Sequence, residues 1–209
     1  MMGKTDLRTA EYLISIMEMR DPNLNGHSLH IEKLALLMYD ALPANMKLRL
    51  RKSDLAYAAL FHDLGQAGVT GTIGKAGKLT TDERQAVSRH PEISVALLEQ
   101  IGGYSSILDA VRYHHERMDG KGYYGITADR IPLISRILAI ADAFSAVTVL
   151  KSYKPSRTYE DGISALKLGA DKQFDAELVE IFSNIPRDKI IRCAEDVRRE
   201  TAGLEKMIY

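Results

Sequence analysis

The sequence has no tryptophan, one cysteine and no net charge, with 28 basic and 28 acidic residues among 209. Each scarcity excludes something. A lone cysteine, Cys193, rules out an internal disulfide framework; within IIRCAEDVRR it reads as a small apolar filler on a helix. A balanced charge argues against a general binder of polymeric nucleic acid, which carries a basic excess. No uncharged apolar run reaches the roughly 18 residues of a membrane span, so no membrane partner is expected. The opening MMGKTDLRTAEYL lacks a signal peptide's apolar region, and the cytoplasm is the expected compartment. Alternating strand patterns are scarce too, whereas helical periodicity dominates. The length suits one domain, or one with a short appendage. An apolar fraction of 45% is ordinary for a globular core.

The periodicity predicts an all-α bundle. A first helix is expected over about 5–20, with Leu7, Leu13, Ile14 and Met17 inward, ended by Asp21-Pro22. A second runs over about 26–42, with Leu29, Leu34, Leu37 and Met38 inward. A third covers SDLAYAALFHD, with Ser53 as N-cap. A loop with glycine at 65, 68, 71, 74 and 77 follows; it fits neither collagen nor the phosphate-loop pattern. Thr80 and Glu83 form a capping box, and His90-Pro91 separates two further helices. The segment IPLISRILAIADAFSAVTVL is apolar nearly all round and is expected to be the central buried helix. Helical segments from about Thr158, Asp175 and Arg187 close the chain, the last carrying many charges.

Six histidines, at 27, 30, 62, 90, 114 and 115, carry the chemical signal. Imidazole suits zinc, iron, manganese and nickel, and a carboxylate can bridge two ions. Asp142 lies among apolar residues, where an unpaired carboxylate costs several kcal/mol. A metal or a buried arginine would compensate it, and Arg136 is more than one turn away. His62 and Asp63 end an apolar helix. A histidine there caps the last carbonyls favourably, but an aspartate faces the negative end of the dipole and calls for a cation. Neighbouring helical residues point about 100° apart, so His114 and His115 reach one ion only where a helix ends or kinks. His90 before proline is restricted to an extended conformation. His27 and His30 share a face one turn apart; taken alone, either is an ordinary surface histidine.

The ordered series His27-Ser28, HDLG at 62–65, His90-Pro91, HHERMDGKGY at 114–123 and Asp142 in ILAIADAFSAV resembles the HD-GYP domains, a branch of the HD phosphohydrolase superfamily. The resemblance covers about residues 23–183. GKLTTDE before His90, Ile131-Pro132 and the SYKP segment at 152–155 share it. It implies an HD-superfamily helical bundle with a di-metal site in its core, and a bacterial signalling phosphodiesterase that opens cyclic di-GMP to pGpG or GMP. Carried over by position, His27, His62, Asp63 and Asp142 make the basic site. His90, His114 and His115 hold a second ion, with Asp63 bridging. Two divalent ions, iron or manganese, are implied. Gly122 and Tyr123 lie in the substrate loop, and Lys151 and Lys154 near the substrate phosphate. The loop at 119–125 is the candidate surface for a signalling partner. His30, where the family often has arginine, is left out of the ligand set and expected to pack or meet solvent.

The chain also departs from the pattern. Gln66 replaces a lysine beside the metals and is carried as a catalytic candidate with Asp63. Tyr124 replaces the proline of GYP, which is expected to loosen the loop. Ser145 replaces a second aspartate, Asn23 stands where some members place a glutamate ligand, and Lys151 replaces an arginine. Slow turnover of cyclic di-GMP is therefore expected. Two alternatives stand beside it: a phosphohydrolase acting on another nucleotide or phosphoester, and a non-catalytic cyclic di-GMP signalling module. The expected division is an N-terminal helix at 1–22, the phosphohydrolase domain at 23–186 and a C-terminal helix at 187–209.

Overall fold

The computed structural model describes residues 6–19, 25–68, 80–148 and 157–208. Among them the regular structure is helical, as the periodicity predicts. The α-helices are α1 (Leu7–Glu18), α2 (His27–Ala41), α3 (Ala44–Lys47), α4 (Lys52–Phe61), α5 (Thr81–Val87), α6 (His90–Ile101), α7 (Leu108–Arg112), α8 (Leu133–Thr148), α9 (Tyr159–Gly169), α10 (Ala176–Ser183) and α11 (Arg187–Ile208). The β-type pairing among these residues is one isolated bridge between Ala170 and Phe174.

The core lies where α2 packs on α4 and α8. Leu34 and Met38 of α2, Leu55 and Leu60 of α4, and Ile137, Leu138 and Ile140 of α8 are fully buried there. Each such side chain contributes roughly 1.5–3 kcal/mol of burial. Helix α8 also meets α7, α9 and α10, which explains why its sequence is apolar almost all round. The charged helix α11 packs on α2, placing Ile190, Cys193 and Val197 in the same core. Cys193 is the buried filler its sequence suggests; burial pushes its thiol up to about 11.

Local chemistry sets the ends. Thr80 and Glu83 make the expected capping box, and Thr158 with Asp161 makes another at α9. Asp175 caps α10 and also receives Arg136, 3.1 Å away, so that arginine compensates Asp175 rather than Asp142. Three expectations need correction. Helix α1 turns Ala10, Ile14 and Glu18 inward, while Leu13 and Met17 are about half exposed; its apolar residues are spread over more than one face. Ser53 is not the cap of α4, which starts at Lys52 behind Arg51, two residues earlier than that cap implies; Arg51 instead reaches Asp54 in the first turn. His90 is not extended: it opens α6, with Pro91 in the first turn, where proline's missing N–H leaves no bond unmade.

Candidate metal centre

The centre forms where the ends of several helices meet. His27 is the first residue of α2. His62 closes α4, and the chain then tightens into a 3-10 turn, Leu64–Gly68. His90 opens α6, His114 and His115 follow the end of α7, and Asp142 lies in α8. Helix ends explain how adjacent His114 and His115 can serve one place, because the regular 100° separation no longer applies. A buried clasp joins the Asp63 turn to α6. The Gly65 amide donates to Ser94 Oγ at 2.8 Å, and Ser94 Oγ donates to the His62 carbonyl at 3.0 Å. Gly65 must be glycine, since a Cβ would lie 2.2 Å from the His90 carbonyl oxygen.

Three imidazoles are set in the same way. Nδ1 of His62, His90 and His114 lies 2.7, 2.7 and 2.6 Å from the carbonyls of Ala59, Val87 and Val111, each three residues earlier. A carbonyl only accepts, so Nδ1 carries the proton and Nε2 of the neutral ring presents a lone pair to the centre. For His62 one nitrogen thus caps the helix and the opposite one is left to act as a ligand.

Asp63 stands between two groups. Its Oδ1 lies 3.0 Å from His90 Nε2 and 3.7 Å from His114 Nε2. Its Oδ2 lies 3.4 Å from His62 Nε2 and 3.6 Å from His27 Nε2. Asp63, His90, His114 and His115 offer atoms all within 4.8 Å of one another, and so do His27, His62 and Asp63. Asp63 therefore belongs to both sets. Asp142 Oδ1 is 3.4 Å from His27 Nε2, outside those two sets. Its side chain is 24% exposed rather than enclosed by apolar residues.

This donor set fits divalent ions on its own chemistry. His90 Nε2 and His114 Nε2 are 3.2 Å apart, lone pair toward lone pair for neutral rings. His62 Nε2 and Asp63 Oδ1 are buried with no hydrogen-bond partner. Acceptors brought together in this way need positive charge among them. Burial lowers His62, but Asp63 more than offsets it and holds the imidazole above its ordinary value. Burial pushes the Asp63 carboxyl up, but His62 first, and then the His114 and His27 imidazoles crowded around it, more than offset this and hold it well below the usual carboxylate range. Burial keeps His114 and His115 below theirs.

Other sequence candidates fall at the rim. Gln66 Nε2 donates to Asp63 Oδ2, so one of its two N–H groups goes to the shared carboxylate. The Tyr123 ring packs against His115 at 4.8 Å between centroids and is 46% exposed. Gly122 admits the close approach of Glu116: a Cβ would lie 2.6 Å from it. Glu116, which sequence reasoning did not single out, is buried and accepts from the amides of Tyr124 at 2.6 Å and Ile126 at 3.1 Å. The expectation that Tyr124 loosens this loop is therefore corrected. Unlike proline, Tyr124 has an N–H to give Glu116, and its ring meets Tyr113 at 5.5 Å. His30 packs, as one of its two expected placements, with Nδ1 2.9 Å from Ser145 Oγ. Lys151, Lys154, Asn23, the SYKP segment and the glycines at 71, 74 and 77 lie outside the described residues.

Residues 11–178 match the HD domain family. A probable cyclic di-GMP phosphodiesterase of Vibrio cholerae is 29% identical over 185 residues, covering 81% of this chain and 42% of its own length. A 3'3'-cGAMP-specific phosphodiesterase 3 of the same organism is 30% identical over 167 residues, covering 78% of this chain and 35% of its own length. The chain thus spans about two fifths of the length of the curated relatives it matches. Among solved structures, Bd1817, an HDG"Y"P protein from Bdellovibrio bacteriovorus, aligns with TM-score 0.63 at 12% identity, covering 86% of this chain and 64% of its own. With its ordered histidines and aspartates gathered into one centre, the chain belongs to the HD domain family and to the HD-GYP branch within it.

Proposed function

We propose that this chain is a metal-dependent phosphodiesterase that hydrolyses cyclic di-GMP to pGpG or GMP, with slow turnover. The observation that carries the reading is Asp63, whose two oxygens face two separate groups of imidazoles. Two divalent ions held there, iron or manganese, would acidify a shared water and offset phosphate charge. His27, His62, Asp63 and Asp142 form one half of the ligand set; His90, His114 and His115, with Asp63, form the other. The protein's own contribution is to fix these groups in advance. The carbonyls of Ala59, Val87 and Val111 hold three rings in one tautomer, and such support is worth about ten- to a hundred-fold in metal affinity. Gly122 and Tyr123 border the substrate space, with Lys151 and Lys154 as phosphate contacts. Gln66 fixes Asp63 and brings no charge to the phosphate.

The relatives' printed substrates, cyclic di-GMP and 3'3'-cGAMP, make a cyclic dinucleotide the first substrate to test. In this reading the phosphohydrolase unit is 23–186, flanked by helices at 1–22 and 187–209. The exposed loop at 119–125 is the surface for a signalling partner, and the cytoplasm is the working compartment. Among the described residues no helix is long and apolar enough to cross a membrane. The test is to incubate manganese-loaded protein with cyclic di-GMP, linear pGpG, cyclic AMP and a generic phosphodiester. Cleavage of cyclic di-GMP ahead of the others supports the proposal. Preference for another ester points to a wider HD phosphohydrolase, and binding without cleavage points to a signalling module.

A further inference from the structure

Glu18, the last residue of α1, is 8% exposed. Its Oε1 accepts from the Ser28 amide at 3.0 Å. That amide is one of the first-turn donors of α2 that no helical carbonyl can satisfy, and the N-cap of α2, Gly26, has no side chain to supply the bond. A carboxylate from another helix therefore fixes the turn that carries His27. The other oxygen, Oε2, is buried with no hydrogen-bond partner. A cap alone needs only one neutral acceptor, so the second oxygen and its charge call for a separate account. Burial holds the Glu18 carboxyl above the ordinary value; His27 first, then the Ser28 bond and His62, oppose this, and a cation held by those imidazoles would oppose it further. Glu18 belongs to neither convergent ligand set, so it acts around the ligands rather than among them.

We propose that Glu18 is the outer carboxylate of the His27–His62 half of the metal centre. It is a positioning residue that sets the first turn of α2 with one oxygen and places negative charge beside two imidazole ligands with the other. This rests on the metal reading above. An anion behind neutral ligands strengthens their hold on a cation, as carboxylates hydrogen-bonded to ligating histidines do.

The test is Glu18→Gln, which keeps an oxygen for the Ser28 amide and removes the charge. Metal-free parent and variant are melted, then titrated with Mn²⁺ against a competing chelator. His115→Ala, which removes a donor from the other half, assigns the two binding steps. The expected result is a metal-free melting temperature equal to or above the parent's, with affinity down about ten- to a hundred-fold at the His27–His62 half alone. Unchanged affinity at both halves overturns the proposal. An equal loss at both halves together with a lower metal-free melting temperature also overturns it, because the role is then only structural. Failure of the parent itself to bind Mn²⁺ would instead remove the metal reading.

Discussion

His30 Nδ1 lies 2.9 Å from Ser145 Oγ, one helical turn beyond the place where His27 Nε2 approaches Asp142 Oδ1 at 3.4 Å. Both contacts join α2 to α8, so the two helices are linked by two rungs, one at the centre and one beneath it. His30 and Ser145 read as two separate departures from the HD-GYP pattern; in the fold they are partners. Burial, with His27 and Arg198 nearby, pushes His30 down to about 3, so the lower rung is neutral. His30 Nε2 already lacks a partner. Ser145→Ala would leave Nδ1 without one as well, at a cost of about 1–3 kcal/mol. Urea unfolding of the metal-free protein should show a lower midpoint at unchanged slope. An unchanged midpoint would mean that the rung contributes nothing.

Glu32 gives a pH prediction away from the centre. It is buried on α2, and burial, with Glu11 adding to it, pushes its carboxyl up to about 7; Lys33 opposes this and Glu200 adds to it. The folded protein thus keeps a proton that the unfolded chain releases near the usual 4.5. Stability from this group is full below about 4.5 and is lost as pH rises through 7. Glu32→Gln should match the parent at pH 4 and exceed it at pH 8, by on the order of 1–3 kcal/mol. Paired denaturant curves at the two pH values check the sign. A variant less stable than the parent at pH 8 would contradict it.

The bridging carboxylate predicts a hierarchy of metal loss. Asp63→Ala should remove metal from both halves, whereas His115→Ala should weaken only one. Elemental analysis of identically purified variants decides it. Retention of one full equivalent of metal by Asp63→Ala would show that Asp63 does not serve both halves.

Much of this was legible in the sequence, for reasons that differ by feature. The all-round apolar run of α8 and the caps at Thr80, Thr158 and Asp175 are local signals, and local rules place them. The ligand candidates followed from residue type and order. Glu18, Ser94 and Glu116 carried no such signal. Each is one polar residue among many, and only the meeting of α1 with α2, of the Asp63 turn with α6, and of the 122–126 loop with the end of α7 gives it a role. Leu13 and Met17 misled because a helix with apolar residues on several faces does not say which face is buried. Tyr124 misled because the change from proline gives up a fixed backbone angle but adds an N–H, and that N–H ties the loop to Glu116.

The loop over the centre gives a prediction of its own. Gly122→Ala would place a Cβ 2.6 Å from the Glu116 backbone and carboxylate, and the loop would have to move. Metal content should stay at the parent level, because neither residue reaches the ligand sets. Turnover should fall by about ten-fold or more, since misplacement of about 1 Å near a reacting group has effects of this size. Normal turnover with normal metal would show that the clasp by Glu116 has no bearing on the substrate.

Gln66 carries the last prediction. Its side chain donates to Asp63 Oδ2, the oxygen that faces His27 and His62. A lysine there would supply a donor that also carries charge toward a phosphate as it becomes more crowded. The neutral amide supplies a hydrogen bond to the carboxylate but no charge. Loss of a charged donor aimed at developing charge costs about 2.7–4 kcal/mol, or a hundred- to a thousand-fold in rate. Gln66→Lys, assayed at the parent's metal content, should therefore raise cyclic di-GMP turnover by roughly ten- to a hundred-fold, less than the full figure because the lysine would divide its bonds between Asp63 and the phosphate. The same variant should leave hydrolysis of a small activated phosphodiester less affected, since a good leaving group needs less help. Metal analysis must accompany the assay, because a new cation beside Asp63 competes with the ions for that carboxylate. Equal metal with unchanged or reduced turnover would show that position 66 does not limit the reaction.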